Sequence, residues 1–103
     1  MLESRYKANL IKKLRVMFPG CVILKNDAEY LQGVPDLTIL YGYRWAMLEV
    51  KASLGVVHQP NQKYFIDLLN DMSFASFIHP GNEEDVLDAL QHAFRHIRNP
   101  RVS

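Results

Sequence analysis

Asp36, Glu49 and Lys51 are spaced so that a single turn can gather them on one face of a sheet. Gly42-Tyr43 separates a run from Asp36 to Tyr41 and a run from Arg44 to Lys51, both rich in strand-forming residues. Two residues with Gly first are a favoured hairpin connection. A turn centred there pairs Tyr41 with Arg44, Ile39 with Ala46 and, further out, Asp36 with Glu49. Directly opposed residues share a face, with Cβ atoms ~5 Å apart, and Lys51, two beyond Glu49, projects from that face as well. Two adjacent carboxylates repel, so the pair requires a shared proton, the Lys51 ammonium or a divalent cation. The cation is the option that brings chemistry. Mg²⁺ accepts one or two carboxylates and leaves its other positions to water and phosphate, where it can polarise a phosphoryl oxygen and acidify a bound water. Lys51 would then orient that water or stabilise the developing negative charge. The plain alternative is an edge hairpin with exposed acids and a surface salt bridge.

Two further residues extend this set. Glu3 falls within the apolar stripe of the first helical segment, between Tyr6 and Leu14 in angle at ~100° per residue. A carboxylate there is costly unless it lies at a mouth or finds a cation, although closeness to the chain start would also leave it solvated. Gln62 lies one helical turn before Phe65 and Ile66, where a buried amide needs partners. A metal-bound water, a catalytic carboxylate or a phosphate would serve, as would an ordinary helix–loop hydrogen bond.

The elements that must hold these residues follow from periodicity. Residues 2–18 read as a helix with Tyr6, Leu10, Leu14 and Met17 on one stripe about 80° wide, stopped by Pro19-Gly20. Cys21 to Leu24 is a short apolar strand, and a polar connection from Asn26 to Gly33 leads to the hairpin. After a loop from Ala52 to Gln59, Pro60 suits the first position of a helix over 60–72, with Phe65, Leu68, Leu69 and Met72 on one side. Ser73 to His79 is a fourth strand. Asn82 is a good N-cap, and Glu83, Glu84 and Asp85 suit the positive end of a helix dipole. That last helix runs to about residue 98, with Val86, Leu87, Leu90, Phe94 and Ile97 inward. The order α-β-β-β-α-β-α, with a hairpin joined through a helix to a further strand, implies an α/β fold with a mixed sheet and helices on both faces.

Bulk composition adds bounds. The 103 residues, 49% hydrophobic, suit one domain with one core. The net charge of +1 is uninformative, but its distribution is asymmetric. Arg5, Lys7, Lys12, Lys13 and Arg15 crowd the first helix, and Arg95, Arg98 and Arg101 the last stretch, whereas Asp67, Asp71, Glu83, Glu84, Asp85 and Asp88 are acidic. This is either a phosphate-binding footprint or a set of solvated helix faces. A single cysteine, Cys21, excludes an internal disulfide and suits a reducing, cytoplasmic setting. The first residues do not read as a signal peptide, and no apolar run reaches the roughly 20 residues of a membrane helix.

Gly33-Val34-Pro35-Asp36, twelve intervening residues and Glu49-Val50-Lys51 together resemble the PD-(D/E)XK nuclease pattern. The following loop and Gln62 resemble its VRR-NUC branch, the virus-type replication and repair nucleases, related to Holliday-junction resolvases. The resemblance covers nearly the whole chain. It implies a restriction-endonuclease-like αβββαβ core plus a C-terminal helix. It also implies a Mg²⁺ or Mn²⁺ site using Asp36, Glu49 and the Val50 carbonyl, with Lys51 near the attacking water. Gln62 matches the branch's glutamine, and Glu3 is the counterpart of an acid on the first helix, with Glu29 as the alternative helper. The function implied is a DNA endonuclease acting on branched DNA, as a homodimer, in a bacterial cell or a phage-infected host. A nuclease for linear or single-stranded DNA, a DNA-binding module that has lost cleavage, and a protein-interaction domain using the hairpin edge are the competing expectations. Retention of Asp36, Glu49 and Lys51 weighs against the binding module, and nothing in the sequence favours the interaction domain.

Other candidates are weaker. His92 and His96 have i, i+4 spacing that zinc can use, but they fall outside the inward stripe with no Cys or acid cluster beside them. His58 lies in the loop after Lys51, near the expected cleft, where it reads first as an ordinary loop histidine and second as a phosphate contact. Cys21 lacks any nucleophile motif. Trp45 and the tyrosines suit packing, or stacking on bases.

Overall fold

The computed structural model describes residues 2–53 and 60–95. Its elements are α1 (Glu3–Met17), β1 (Val22–Lys25), β2 (Leu37–Tyr41), β3 (Arg44–Val50), α2 (Pro60–Met72), β4 (Phe74–Ile78) and α3 (Glu83–Arg95). This is the order expected from periodicity. The loop with Gly55 and His58, the expected end of the last helix with His96, Ile97 and Arg98, and Arg101 after it lie outside the described residues.

The strands form one sheet in the order β1-β2-β3-β4. The first two pairings are antiparallel and β3–β4 is parallel, because α2 carries the chain back before β4 begins. The sheet is therefore mixed. The hairpin register is the one the turn dictates: Tyr41 opposes Arg44, Ile39 opposes Ala46 and Leu37 opposes Leu48. Gly42 adopts φ +62° while Tyr43 keeps a negative φ, the pattern of a turn with Gly at its first central position.

Alternation along β3 separates two faces. Ala46, Leu48 and Val50 join Leu37, Ile39 and Ile78 in a core with Tyr6, Leu10 and Leu14 of α1 and Val86, Leu87, Leu90 and Phe94 of α3. The intervening Glu49 faces the other way, towards α2, which packs on β3 and β4. Helices thus cover both faces.

Two local expectations are corrected. On α2 the fully buried position is Ile66, and Phe65, Leu68 and Leu69 of the expected apolar side are half-buried, but Met72 is 63% exposed. At α3, the Asn82 carbonyl accepts the Val86 N–H as an N-cap carbonyl does. Its side chain, however, turns back to the strand, accepting the His79 N–H at 2.8 Å and donating to the Phe77 carbonyl at 3.2 Å. It thus ties the end of β4 to the start of α3. No helix among the described residues is long and apolar enough to cross a membrane.

Candidate active site at the open end of the hairpin

The ladder between β2 and β3 ends at Leu37 and Leu48. One residue further out the backbone bends, and side chains take over the pairing. The Asp36 N–H donates to Glu49 Oε1 at 3.1 Å, and the Val50 N–H donates to Asp36 Oδ2 at 2.9 Å. The two carboxylates are brought together as the register requires, each held by the other strand's backbone. Asn26, just past β1, fixes the bend from the other side. Its N–H donates to the Asp36 carbonyl at 2.8 Å, and its Nδ2 reaches the Pro35 carbonyl and Thr38 Oγ1, each at 2.9 Å.

Lys51 continues the parallel pairing beyond β3, its N–H donating to the Ile78 carbonyl at 2.9 Å. Its side chain points with Glu49 towards α2, where Gln62 waits in the first turn. Lys51 Nζ donates to Gln62 Oε1 at 2.9 Å and Gln62 Nε2 donates to Glu49 Oε2 at 3.0 Å. Lys51 Nζ also lies 3.4 Å from Glu49 Oε2. The amide orientation is fixed by chemistry, since reversing it would set oxygen against carboxylate and NH₂ against ammonium. Asp36, Glu49, Lys51 and Gln62, expected from the sequence, therefore form one connected cluster.

Glu3 is not joined to it. It stands exposed at the first residue of α1, and among the described residues it has no hydrogen bond or ion pair with Asp36, Glu49 or Lys51. One turn later on the same flank, Lys7 makes that connection instead, with Nζ 3.3 Å from Asp36 Oδ1. Neither Lys7 nor Asn26 was singled out by sequence. The only signal for Lys7 was its place in the basic N-terminal cluster, and for Asn26 its place in the connection before Pro35-Asp36. Glu29, the alternative helper acid, is exposed in that connection, its N–H held by Asp27 Oδ1. Tyr6 turns away from the site and donates to Glu83 Oε1 at 2.8 Å, where Lys13 also pairs.

The electrostatics follow from burial. Glu49 is 4% and Lys51 7% exposed. Burial, and then the nearby charge of Asp36, push the Glu49 carboxyl up from 4.5 to about 7, against the opposing pull of Lys51. Lys7 and Lys51 formally balance Asp36 and Glu49. Asp36 Oδ1, Asp36 Oδ2 and Glu49 Oε1 each have one partner named above and retain capacity for another, whereas Glu49 Oε2 has two. Among the described residues no third His, Cys, Asp or Glu completes a metal cluster. The donor set is thus two carboxylates with backbone carbonyls such as that of Val50 nearby. This suits Mg²⁺, which keeps waters and substrate phosphate oxygens in its remaining positions, and an ammonium already occupies the cation's side of Asp36. No protein family, curated protein or solved structure matches the chain.

Proposed function

We propose that the protein is a metal-dependent endonuclease of the PD-(D/E)XK type, with a restriction-endonuclease-like core and a VRR-NUC-like site, hydrolysing phosphodiester bonds in DNA. The observation that carries this reading is the Gln62 amide spanning Glu49 and Lys51 beside Asp36. It links carboxylate, ammonium and polar positioning group in a partly buried corner of the sheet. Asp36, Glu49 and the Val50 carbonyl would hold Mg²⁺ or Mn²⁺, which supplies Lewis acidity to a phosphoryl oxygen and to the attacking water.

The chain's own residues do the rest. Lys51 donates from a side chain locked by Gln62 and Glu49, so it meets the attacking water or the developing phosphorane charge with little reorganisation. Water attacks phosphorus and the 3′-oxygen leaves. Lys7, now paired with Asp36, would yield that carboxylate to a cation and be free to meet the incoming phosphate. Exposed Arg5, Lys12 and Arg15 on α1 contact neighbouring phosphates, which positions the strand without reading sequence. Glu3, one turn from Lys7 on α1, remains the helper acid of this reading, on resemblance alone. Branched DNA and a homodimer are the favoured substrate and state, on resemblance alone.

The test is cleavage of four-way-junction, flap, linear duplex and single-stranded DNA, with Mg²⁺ or EDTA, beside Asp36→Asn. Cleavage of at least one substrate that disappears with EDTA and with Asp36→Asn is expected. Cleavage surviving both would refute the metal site. Binding without cleavage under every metal would make the protein a binding module instead.

A further inference from the structure

A cavity of about 350 Å³ opens beside the cluster, lined by Ala28, Gln32, Gly33, Pro60, Asn61 and Gln62. One wall is the connection between β1 and β2, and the other is the first turn of α2. Gln62 belongs both to this cavity and to the site, since the same side chain bonds Glu49 and Lys51.

The walls are preformed. Asp27 organises the connection: its Oδ1 accepts the Glu29 N–H at 2.8 Å, and its carbonyl accepts those of Tyr30 and Leu31 at 3.1 and 3.2 Å. The Leu31 carbonyl then accepts the Val34 N–H at 3.1 Å. Gly33, at φ +90°, presses so closely on α2 that a Cβ there would lie 2.4 Å from Asn61 Cβ. Loop and helix are therefore locked at one point, with the cavity beside it.

Its chemistry selects a ligand class. None of the six lining residues among those described is charged, so they offer a phosphate no counter-ion; the cations Lys51 and Lys7 are at the site next door. Ala28, Pro60 and Gly33 offer apolar surface. Gln32 and Asn61 offer amides, each a donor and an acceptor side by side, the arrangement that reads the edge of a base. The volume lies at the small end for ligand pockets, enough for one planar heterocycle.

We propose that this cavity receives one unstacked nucleobase of the nucleic-acid strand, while the phosphate beside that base lies at Asp36, Glu49 and Lys51. The inference rests on the nucleic-acid reading of the site and adds a substrate feature to it: a strand that can splay a base out at low cost, as junctions, flaps and single strands do and an intact duplex does not.

The experiment places 2-aminopurine, whose fluorescence rises on unstacking, at successive positions around the bound site. It uses wild type with Ca²⁺ as the non-hydrolysing ion, and two variants, Ala28→Trp to fill the cavity and Gln32→Ala to remove an amide. Circular dichroism checks the fold of each. In parallel, the side-chain NH₂ resonances of Gln32 and Asn61 are followed by NMR with adenosine, thymidine or inorganic phosphate. The expected result is brightening confined to one or two positions. Ala28→Trp abolishes it and weakens strand binding about tenfold, the scale of one lost base contact; Gln32→Ala weakens binding less. Nucleosides, but not phosphate, shift the two amides.

Brightening at no position while wild type still cleaves overturns the cavity proposal and leaves the nuclease reading standing. The same holds if folded Ala28→Trp brightens as wild type does, or if phosphate alone shifts the amides. Brightening without cleavage under any metal keeps the cavity and removes the nuclease. Failure to bind either strands or nucleosides removes both.

Discussion

The two ends of one hairpin are built on opposite physical terms. At the turn end, Tyr41 packs with Phe18 of the α1 C-cap and Phe94 of α3, ring centroids 5.0 to 5.6 Å apart. At the open end, five residues further along each arm, the same hairpin holds two carboxylates and a lysine against α2. The turn end gains from burial and aromatic contact. The open end spends part of that gain on a desolvated carboxylate whose charge is only partly offset. One register serves both: because Tyr41 opposes Arg44, Asp36 must meet Glu49. The sheet thus acts as a ruler, with aromatic packing concentrated at one end and the charged cluster at the other.

The comparison breaks most sharply by exchanging damage between the ends. Asp36→Asn keeps an oxygen to accept the Val50 N–H but removes the charge. It should lower cleavage by about 10³-fold or more, with unfolding free energy changed by less than about 1 kcal/mol. Phe18→Ala should do the reverse, costing about 3–5 kcal/mol of stability while kcat/KM of the folded fraction stays within about twofold. Urea titrations and cleavage kinetics on both variants check this. If Phe18→Ala lost activity as steeply as Asp36→Asn while still folded, the ends would not be separable.

A pH titration sharpens the same contrast. With its folded pKa raised to about 7 from 4.5, Glu49 binds its proton more tightly in the folded state than in the unfolded one. Its contribution to stability is full below about pH 4.5 and is lost as pH rises through about 7. The change amounts to roughly 3 kcal/mol at most. In EDTA, the urea midpoint should fall between pH 5 and pH 8, and Glu49→Gln should flatten that fall. Mg²⁺ should restore more stability at pH 8 than at pH 6, because it binds the ionised form. A midpoint independent of pH across this range in wild type would show that Glu49 is not the strained group.

Gln62→Ala should have a smaller effect. It removes the link between Lys51 and Glu49 but leaves their 3.4 Å ion pair. Loss of such a positioning group typically costs about 10–100-fold in activity or metal affinity. Cleavage rates against Mg²⁺ concentration would measure it, and an unchanged curve would reduce Gln62 to a packing residue.

Much of this was legible because local rules fixed it. A glycine-led turn set the register, and the register set Asp36 against Glu49 with Lys51 beside them. Gln62 was legible as a polar residue on an inward helical position. Lys7 was not, because helical periodicity says which residues share a flank but not how far that flank leans over the end of a sheet. Glu3 was expected on the inward stripe from the same periodicity, yet at the helix's first residue it is exposed. Met72 was grouped with Phe65, Leu68 and Leu69 on one side of α2, but at the helix's last residue it is exposed while those three are half-buried. Asn26 was hidden for another reason: it acts by tying backbone, a role that polar loop composition does not distinguish from solvation.

The smallest expected effect tests the residue that periodicity could not place. Lys7 and Asp36 are each about a quarter exposed, so their 3.3 Å pair should contribute no more than about 1 kcal/mol to stability. Its consequence is competitive. The Lys7 ammonium lies where a cation bound by Asp36 would be repelled, so it must move before Mg²⁺ settles. Lys7→Ala should therefore tighten Mg²⁺ binding in the absence of DNA, by about fivefold if the whole of that 1 kcal/mol opposes the ion. With DNA present the direction should reverse, since the lysine would then be missing from the phosphate it turns to. Calorimetric Mg²⁺ titration of the DNA-free protein and KM for the preferred DNA separate the two effects. Weaker Mg²⁺ binding by the DNA-free variant would mean that Lys7 holds Asp36 in place for the metal rather than standing in for it.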